Sequence, residues 1–510
     1  MDEKCVRATV CSVETVFKES AEVPIDIEFN LPDYCPEISR ILKCRAVPRV
    51  SSKSAAGRGI TVDGSVTVTV IYADREENIN AYEYQYPFSK SFETGTDVAD
   101  GCVALTAKCE YINCRAVTER KIDIHGATGI SVTVTQRQSK EIISDIEDEN
   151  VKVRRKSVTA TVPVAEAEKY VILEEEIEVG GSQPDIKCLI RYDAAATVDE
   201  CKLLADKAII KGGVAVNLLY RGEEGEPQSL FCAIPFSQLM EIEGANEEQL
   251  CEATADVAYL EIKPKFAASG AARAFSLDGK LAIAVKTFKD EDIGLITDAY
   301  SLKYAAQITS EDICVRRLVC GINDTFTAKG DFEISGASIL KICDIWCDIR
   351  EKNARFEGDC LIVYGTANAG IIAADSGGAP QFFEKPLDFE YTFKLPAGCE
   401  SPTAVPNVSL KEINYTLSSE SSMEMRAQMT VTAAVYDCRK LSLLSGVTVD
   451  ESKPQNVADR AAMTVYFAEP GEYLWDISKR YSADAEKVIS LNKITEDRIT
   501  KRQMILLPGN

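Results

Sequence analysis

One strand-like segment recurs along this chain, and the spacing around it constrains what the chain can fold into. Gly64 to Tyr72 reads GSVTVTVIY, and Gly212 to Tyr220 reads GGVAVNLLY. Pro36-Glu-Ile precedes the first, and Pro184-Asp-Ile precedes the second. From Pro36 to Tyr72 is 36 residues, and from Pro184 to Tyr220 is again 36. Tyr72 to Phe88 and Tyr220 to Phe236 are both 16. Three landmarks in one register define a domain-sized internal repeat. Val66, Val68, Val70 and Tyr72 alternate with Thr67 and Thr69, which is the period of a half-buried strand. Gly358 to Tyr364, GDCLIVY, reads as a shortened third copy. In that alignment Tyr364 to Phe389 is 25, and the excess falls in GTANAGIIAADSGGAP, which is expected to form a long surface turn. The Pro landmark is missing there, and Gly336-Ala-Ser-Ile-Leu is its nearest counterpart.

A chain of 510 residues is too long for one core. The repeats place β domains at 1–150, 151–305 and 306–440, a connector with Pro454 at 441–460, and a different unit at 461–510. Val, Ile, Thr and Tyr in short alternating runs predict tandem antiparallel β-sandwich-like domains, mainly β overall. Tyr82, Tyr84 and Tyr86 are expected on an inward face, and Glu200 to Ile209 is ambiguous between helix and strand.

From 461 the pattern changes. Met463 to Phe467 alternates as a strand, and Pro470-Gly471 turns the chain. Leu474, Ile477, Ser478 and Tyr481 form one helix face, and Ala485, Val488, Ile489 and Asn492 a second. Ser482 is the expected N-cap of the second helix, and Met504 to Leu507 a closing strand. The unit is therefore a small α+β domain of order βααβ.

The net charge of −23 argues against nucleic acid and anionic membranes as partners. The opening MDEKCVRATV is polar and charged without an apolar core, and no run is long enough to span a bilayer, so a cytoplasmic location is expected. The eighteen cysteines lack metal spacing and read as reduced thiols acting as small apolar side chains. His125 is the only histidine, and there is no phosphate loop or zinc helix. No catalytic residue, metal or cofactor is expected, and the protein reads as a non-enzyme.

GEYLWDISKRY with Leu491-Asn492 ten residues later, Ile499 and Leu507-Pro508 resembles a LysM domain. That resemblance implies a groove for N-acetylglucosamine polymers such as peptidoglycan, here Gly471, Glu472, Tyr473, Leu491 and Asn492. Tyr473 stands where Thr or Ser is usual, and Arg502 where Gly is usual. The GxVxVxxxY strand with its Pro-Phe landmark resembles the SPOCS domain of endospore-forming bacteria. SPOCS repeats ending in LysM resemble SipL-type spore envelope proteins. The resemblance implies synthesis in the mother cell, recruitment to the forespore surface, and docking of the coat's basement-layer morphogenetic ATPase by LysM. It leaves the repeats to hold other coat proteins. The last fifty residues are charge-neutral, with seven basic and seven acidic side chains. A basic cluster at Arg498, Lys501 and Arg502 can therefore meet an acidic partner. Trp475, with Met463, Tyr473 and Leu474, is the expected partner patch.

Overall fold

The computed structural model describes residues 5–267, 270–334, 338–454 and 462–509. The first domain contains β1 (Cys5–Asn30), β2 (Arg40–Ala56), β3 (Gly59–Ala73), β4 (Ile79–Glu93), β5 (Cys102–Ala116) and β6 (Lys121–Ile146). β2, β3 and β4 form an antiparallel meander, and a second sheet has the order β1-β6-β5. The second domain repeats this with β7 (Val151–Glu178), β8 (Ile186–Leu204), β9 (Lys207–Gly222), β10 (Pro227–Glu241), β11 (Leu250–Phe266) and β12 (Ala272–Ser301). The third contains β13 (Tyr304–Glu333), β14 (Ile339–Glu357), β15 (Cys360–Asp375), β16 (Pro380–Lys394), β17 (Pro402–Ala404), β18 (Asn407–Ser419) and β19 (Ser422–Pro454). Pro406, which cannot donate to a ladder, lies between β17 and β18, and both strands pair with β19. In each domain the apolar faces of the two sheets meet in one core. Tyr82, Tyr84 and Tyr86 pack on the first core, with Phe29 stacked 5.5 Å from Tyr84.

The repeat landmarks have identifiable causes. Tyr72 is fully buried and its Oη donates to the Pro36 carbonyl at 3.1 Å; Tyr220 does the same to Pro184 at 3.3 Å. The 36-residue spacing is thus a hydrogen bond. Gly64 and Gly212 lie directly across from Phe88 and Phe236, whose rings cover them. A Cβ there would sit 2.5 and 2.6 Å from ring atoms, so only glycine fits.

This geometry corrects the alignment of the third copy. Gly365 lies opposite Phe389 and is covered by its ring, 2.7 Å from a would-be Cβ. Gly365, not Gly358, is the counterpart of Gly64, and the glycine-to-phenylalanine spacing is 24 in all three copies. The supposed surface turn is strand β15 through Asp375, much of it buried. Its small residues have a packing reason, because Trp346 lies on Gly370 with Nε1 2.8 Å from where a Cβ would be. Gly358 instead turns the β14–β15 hairpin at φ +60. Tyr72 and Tyr220 correspond to Ala373, so the third copy lacks both partners of the Tyr–Pro bond. Gly336, the expected counterpart of the Pro landmark, lies outside the described residues. Glu200 to Ile209 is not helical; it is the β8–β9 hairpin, turned by Asp206 at φ +55.

Each domain closes by pairing its first strand with its last. Cys5 faces Ile146, Val151 faces Ser301, and Ala305 faces Asp450. Residues 441–454, expected as connector, therefore belong to β19; 455–460 lie outside the described residues. The outer halves of the three ribbons share two cores. Ile142, Leu295 and Leu443 enter one, and their neighbours Ile143, Ile296 and Leu444 enter the other. A bulge follows at Ser144, Thr297 and Ser445 in turn.

The three meanders also meet, in a closed cycle: β4 touches β8, β10 touches β14, and β16 touches β2. Arg45, Asp193 and Trp346 hold the same register position, opposite Thr69, Asn217 and Gly370. Arg45 donates to Asp193 at 3.0 Å and to Asp348 at 2.7 Å, and its guanidinium lies 5.2 Å from the Trp346 ring. Arg191 Nε donates to Asp344 at 2.6 Å, with both side chains almost fully buried. Leu42, Ile190 and Cys343, each a bulge residue, complete the junction. Burial disfavours the Asp193 charge, but Arg45 and Arg191 outweigh it and hold the carboxyl below its usual range.

Three outcomes are expected in urea unfolding. Tyr220→Phe removes one buried bond and should cost about 1 kcal/mol, whereas Gly365→Ala, which drives a methyl into Phe389, should cost about 2 kcal/mol or more. Asp344→Ala takes from buried Arg191 one of its two carboxylate partners, leaving Asp193 alone, and should cost about 3 kcal/mol. The junction is also acid-sensitive in a defined direction. A depressed folded pKa contributes stability above the unfolded carboxyl value, about 3.9, and loses it as pH falls through the lower folded value. Small-angle scattering should therefore report separation of the domains only below that range.

Candidate functional site

The C-terminal unit runs β20 (Met463–Ala468), α1 (Leu474–Arg480), α2 (Ala485–Asn492) and β21 (Gln503–Pro508), the expected βααβ order. β20 and β21 pair antiparallel. Ala468, Ile505 and Leu507 point to the helices and pack on Leu474, Ile477 and Val488. Asp484, not Ser482, caps α2, accepting from the Glu486 N–H at 3.1 Å; Ser482 occupies the left-handed region at φ +49. Ile489, expected on the packed face, is exposed.

The first strand–helix loop and the segment after α2 come together. Gly471 N donates to Ile499 O, and Leu474 N to Asp497 O, both at 2.8 Å. Tyr473 forms a bridge with Arg498. The polar groups nearby are largely committed within the domain. Glu472 accepts from Tyr466 Oη at 2.8 Å and from Glu469 N at 2.9 Å. The Asn492 amide donates to Val488 O and Leu506 O and accepts from Leu506 N, each at 2.8 Å. Leu491 is exposed.

Two members of the expected partner patch are interior. Leu474 is 1% exposed and Trp475 8%. Trp475 packs edge-on against Tyr300 at 5.0 Å and donates from Nε1 to Asp298 at 2.7 Å, both residues of β12. The correction has a physical cause: an indole with a nearby carboxylate partner is satisfied inside the protein. Around it, Lys479 pairs with Asp298 at 2.6 Å, Lys152 with Asp484 at 2.9 Å and Arg154 with Asp497 at 2.7 Å. Tyr300 Oη donates to Ala483 O at 2.7 Å, and Arg154 lies over the Tyr473 ring at 5.4 Å. Burial disfavours the Asp484 charge, but Lys152 and the α2 N–H groups hold its carboxyl below the usual range.

Met463 is displayed, and it is not alone. On the outer face of β20, Met463, Val465 and Phe467 are 48–60% exposed, and Met504 of β21, opposite Phe467, falls within that range. Their alternation with Thr464 and Tyr466 was legible in the sequence; the missing signal was which side the helices cover. Arg498, Lys501 and Arg502 are exposed, with Arg502 paired to Glu469 at 3.1 Å at the Phe467 end of this strip.

His125 is exposed, its ring nitrogens facing Asp26 at 3.2 Å and Asp123 at 3.0 Å. Among the described residues, no group of three or more His, Cys, Asp or Glu is placed to hold a metal. No helix among them is long and apolar enough to cross a membrane.

Removing the indole's acceptor should loosen the docked domain. Asp298→Ala is expected to red-shift Trp475 emission and raise its quenching by acrylamide, at a cost of about 1–3 kcal/mol. Lowering pH through the depressed Asp484 value should have the same effect in wild-type protein, because that stabilisation is present above about 3.9 and is lost as the carboxyl protonates.

No curated protein matches the chain. Residues 37–117 and 185–265, the β2–β5 and β8–β11 parts of the first two domains, match the family model described as SipL, SPOCS domain, which points to a sporulation-related role.

Proposed function

We propose that this protein is a non-enzymatic scaffold of the spore envelope, whose C-terminal LysM-like domain docks the coat's basement-layer morphogenetic ATPase. The scaffold would act in the mother cell and be drawn to the forespore surface, linking coat assembly to the cortex. The observation that carries the docking reading is the apolar strip of Met463, Val465, Phe467 and Met504, with basic side chains at one end. Adjacent exposed apolar side chains with an adaptable Met at each end suit a protein partner. The acidic repeats suit attachment of further coat proteins with basic surfaces. The family match supports the sporulation setting.

The test uses the full chain against two baits: the purified coat ATPase and purified peptidoglycan. Retention on the ATPase is expected, and Phe467→Glu with Met504→Glu should weaken it by about 10-fold or more, with circular dichroism unchanged. Retention on peptidoglycan alone, unaffected by these changes, would overturn the reading in favour of a wall-binding protein.

A further inference from the structure

A cavity of about 790 Å³ opens between the three domains, lined by residues of each. Lys53 and Cys102 come from the first domain, Glu166 and Lys286 from the second, and Arg316 and Tyr436 from the third. Within its wall Lys286 Nζ donates to Cys102 Sγ at 2.8 Å, across the boundary between the first two domains. The Cys102 thiol in turn donates to Glu166 Oε1 at 3.5 Å, and that oxygen is 3.9 Å from Lys286 Nζ.

The arrangement is chemically directed. Glu166 is placed to accept the thiol proton, and the Lys286 ammonium to stabilise the negative charge that develops on sulfur. Burial works against the Lys286 charge, but the bond to Cys102 and the carboxylates of Glu166 and Glu252 outweigh it and hold the ammonium above its ordinary value. Most other thiols are in contrasting settings. Burial pushes Cys347 up to about 12 and also raises Cys35, Cys109 and Cys188. The pair is not a by-product of the repeat either. Residues 37–117 and 185–265 match with an offset of 148, which places Leu250 at the position of Cys102.

We propose that Cys102 is a modification site that takes small-molecule disulfides from solution as a mixed disulfide, with the cavity admitting the reagent and Lys286 and Glu166 activating the thiol. Glu166 accepts the thiol proton and the sulfur attacks one sulfur of the reagent. The reagent's S–S bond breaks as the new one to Cys102 forms, and the leaving thiolate takes up the proton. One thiol is consumed and one released, so no further oxidant is needed. The modified sulfur no longer accepts from Lys286, which makes the contact between the first two domains responsive to the small-thiol pool.

The test follows reaction of native full-length protein with a chromogenic aromatic disulfide, then maps the label by peptide mass after an acid quench. A fast phase of about one thiol per chain, located on Cys102, is expected. It should vanish in Cys102→Ser. In Lys286→Met, which keeps the apolar stem, the fast phase should slow by about 10-fold at neutral pH. In denaturant the wild type and Lys286→Met should react alike. Label spread over several thiols or located on another cysteine would overturn the proposal. So would a native Lys286→Met rate equal to wild type. The wild-type mapping stands even if a variant fails to fold.

Discussion

The pairing of each domain's first strand with its last is the constraint on which the other contacts rest. It returns the chain to the end of the sandwich where it started, so one domain can follow another through residues 147–150 and 302–303. Three long ribbons then lie side by side, and both faces of each need apolar cover where they meet. Ile142-Ile143, Leu295-Ile296 and Leu443-Leu444 supply it, one residue of each pair to each core. Adjacent residues on a strand point to opposite faces, so an unbroken apolar pair signals a ribbon buried on both sides. The closing ladder spans a whole domain in sequence, which makes folding depend on contacts of high separation. A domain cannot close until its last strand has been made.

Three similar domains around one junction create an electrostatic difficulty. If equivalent positions carried identical residues, like charges would meet at the centre. The sequence avoids this by placing Arg45, Asp193 and Trp346 at one position and Lys43, Arg191 and Asp344 at the next. Arg45 thus pairs with Asp193 and Arg191 with Asp344 across domain boundaries, in a fixed order, while Arg191 also holds Asp193 of its own strand. Removing two charges from water is costly, and such a pair adds little to net stability. Its effect is to make each domain fit one neighbour and not another.

Much of this was legible because the spacing recorded contacts. The constant 36 is a hydroxyl reaching a proline carbonyl, and the 24 is a ring covering a glycine. In the third copy composition and packing disagree. Gly and Ala in 365–374 look like a turn, yet they are small because Trp346 occupies the space above Gly370. A side chain 24 residues away in sequence cannot be weighed by local propensity. The 200–209 segment is ambiguous for a related reason: a two-residue hairpin turned by Asp rather than Gly leaves a weak signal. In the C-terminal unit the helices were plain from their period. The environment of Trp475 was not, because Asp298 and Tyr300 belong to another domain.

That docking also decides which surface of the C-terminal domain remains open. The helices cover one face of the β20–β21 pair, and the second domain covers the helices and their flanking loops through Trp475, Lys479, Asp484 and Asp497. The charges are complementary in both directions, with Lys152 and Arg154 donated by the second domain and Lys479 donated to it. A neutral unit can satisfy both sets, whereas one as acidic as the repeats would be repelled. The outer face of the two strands points away from these contacts, so Met463, Val465, Phe467 and Met504 stay exposed because the opposite side is occupied. Trp475, which reads in the sequence as a partner-patch residue, sits at an internal interface with the second domain, and the consequence is to orient the apolar strip outward.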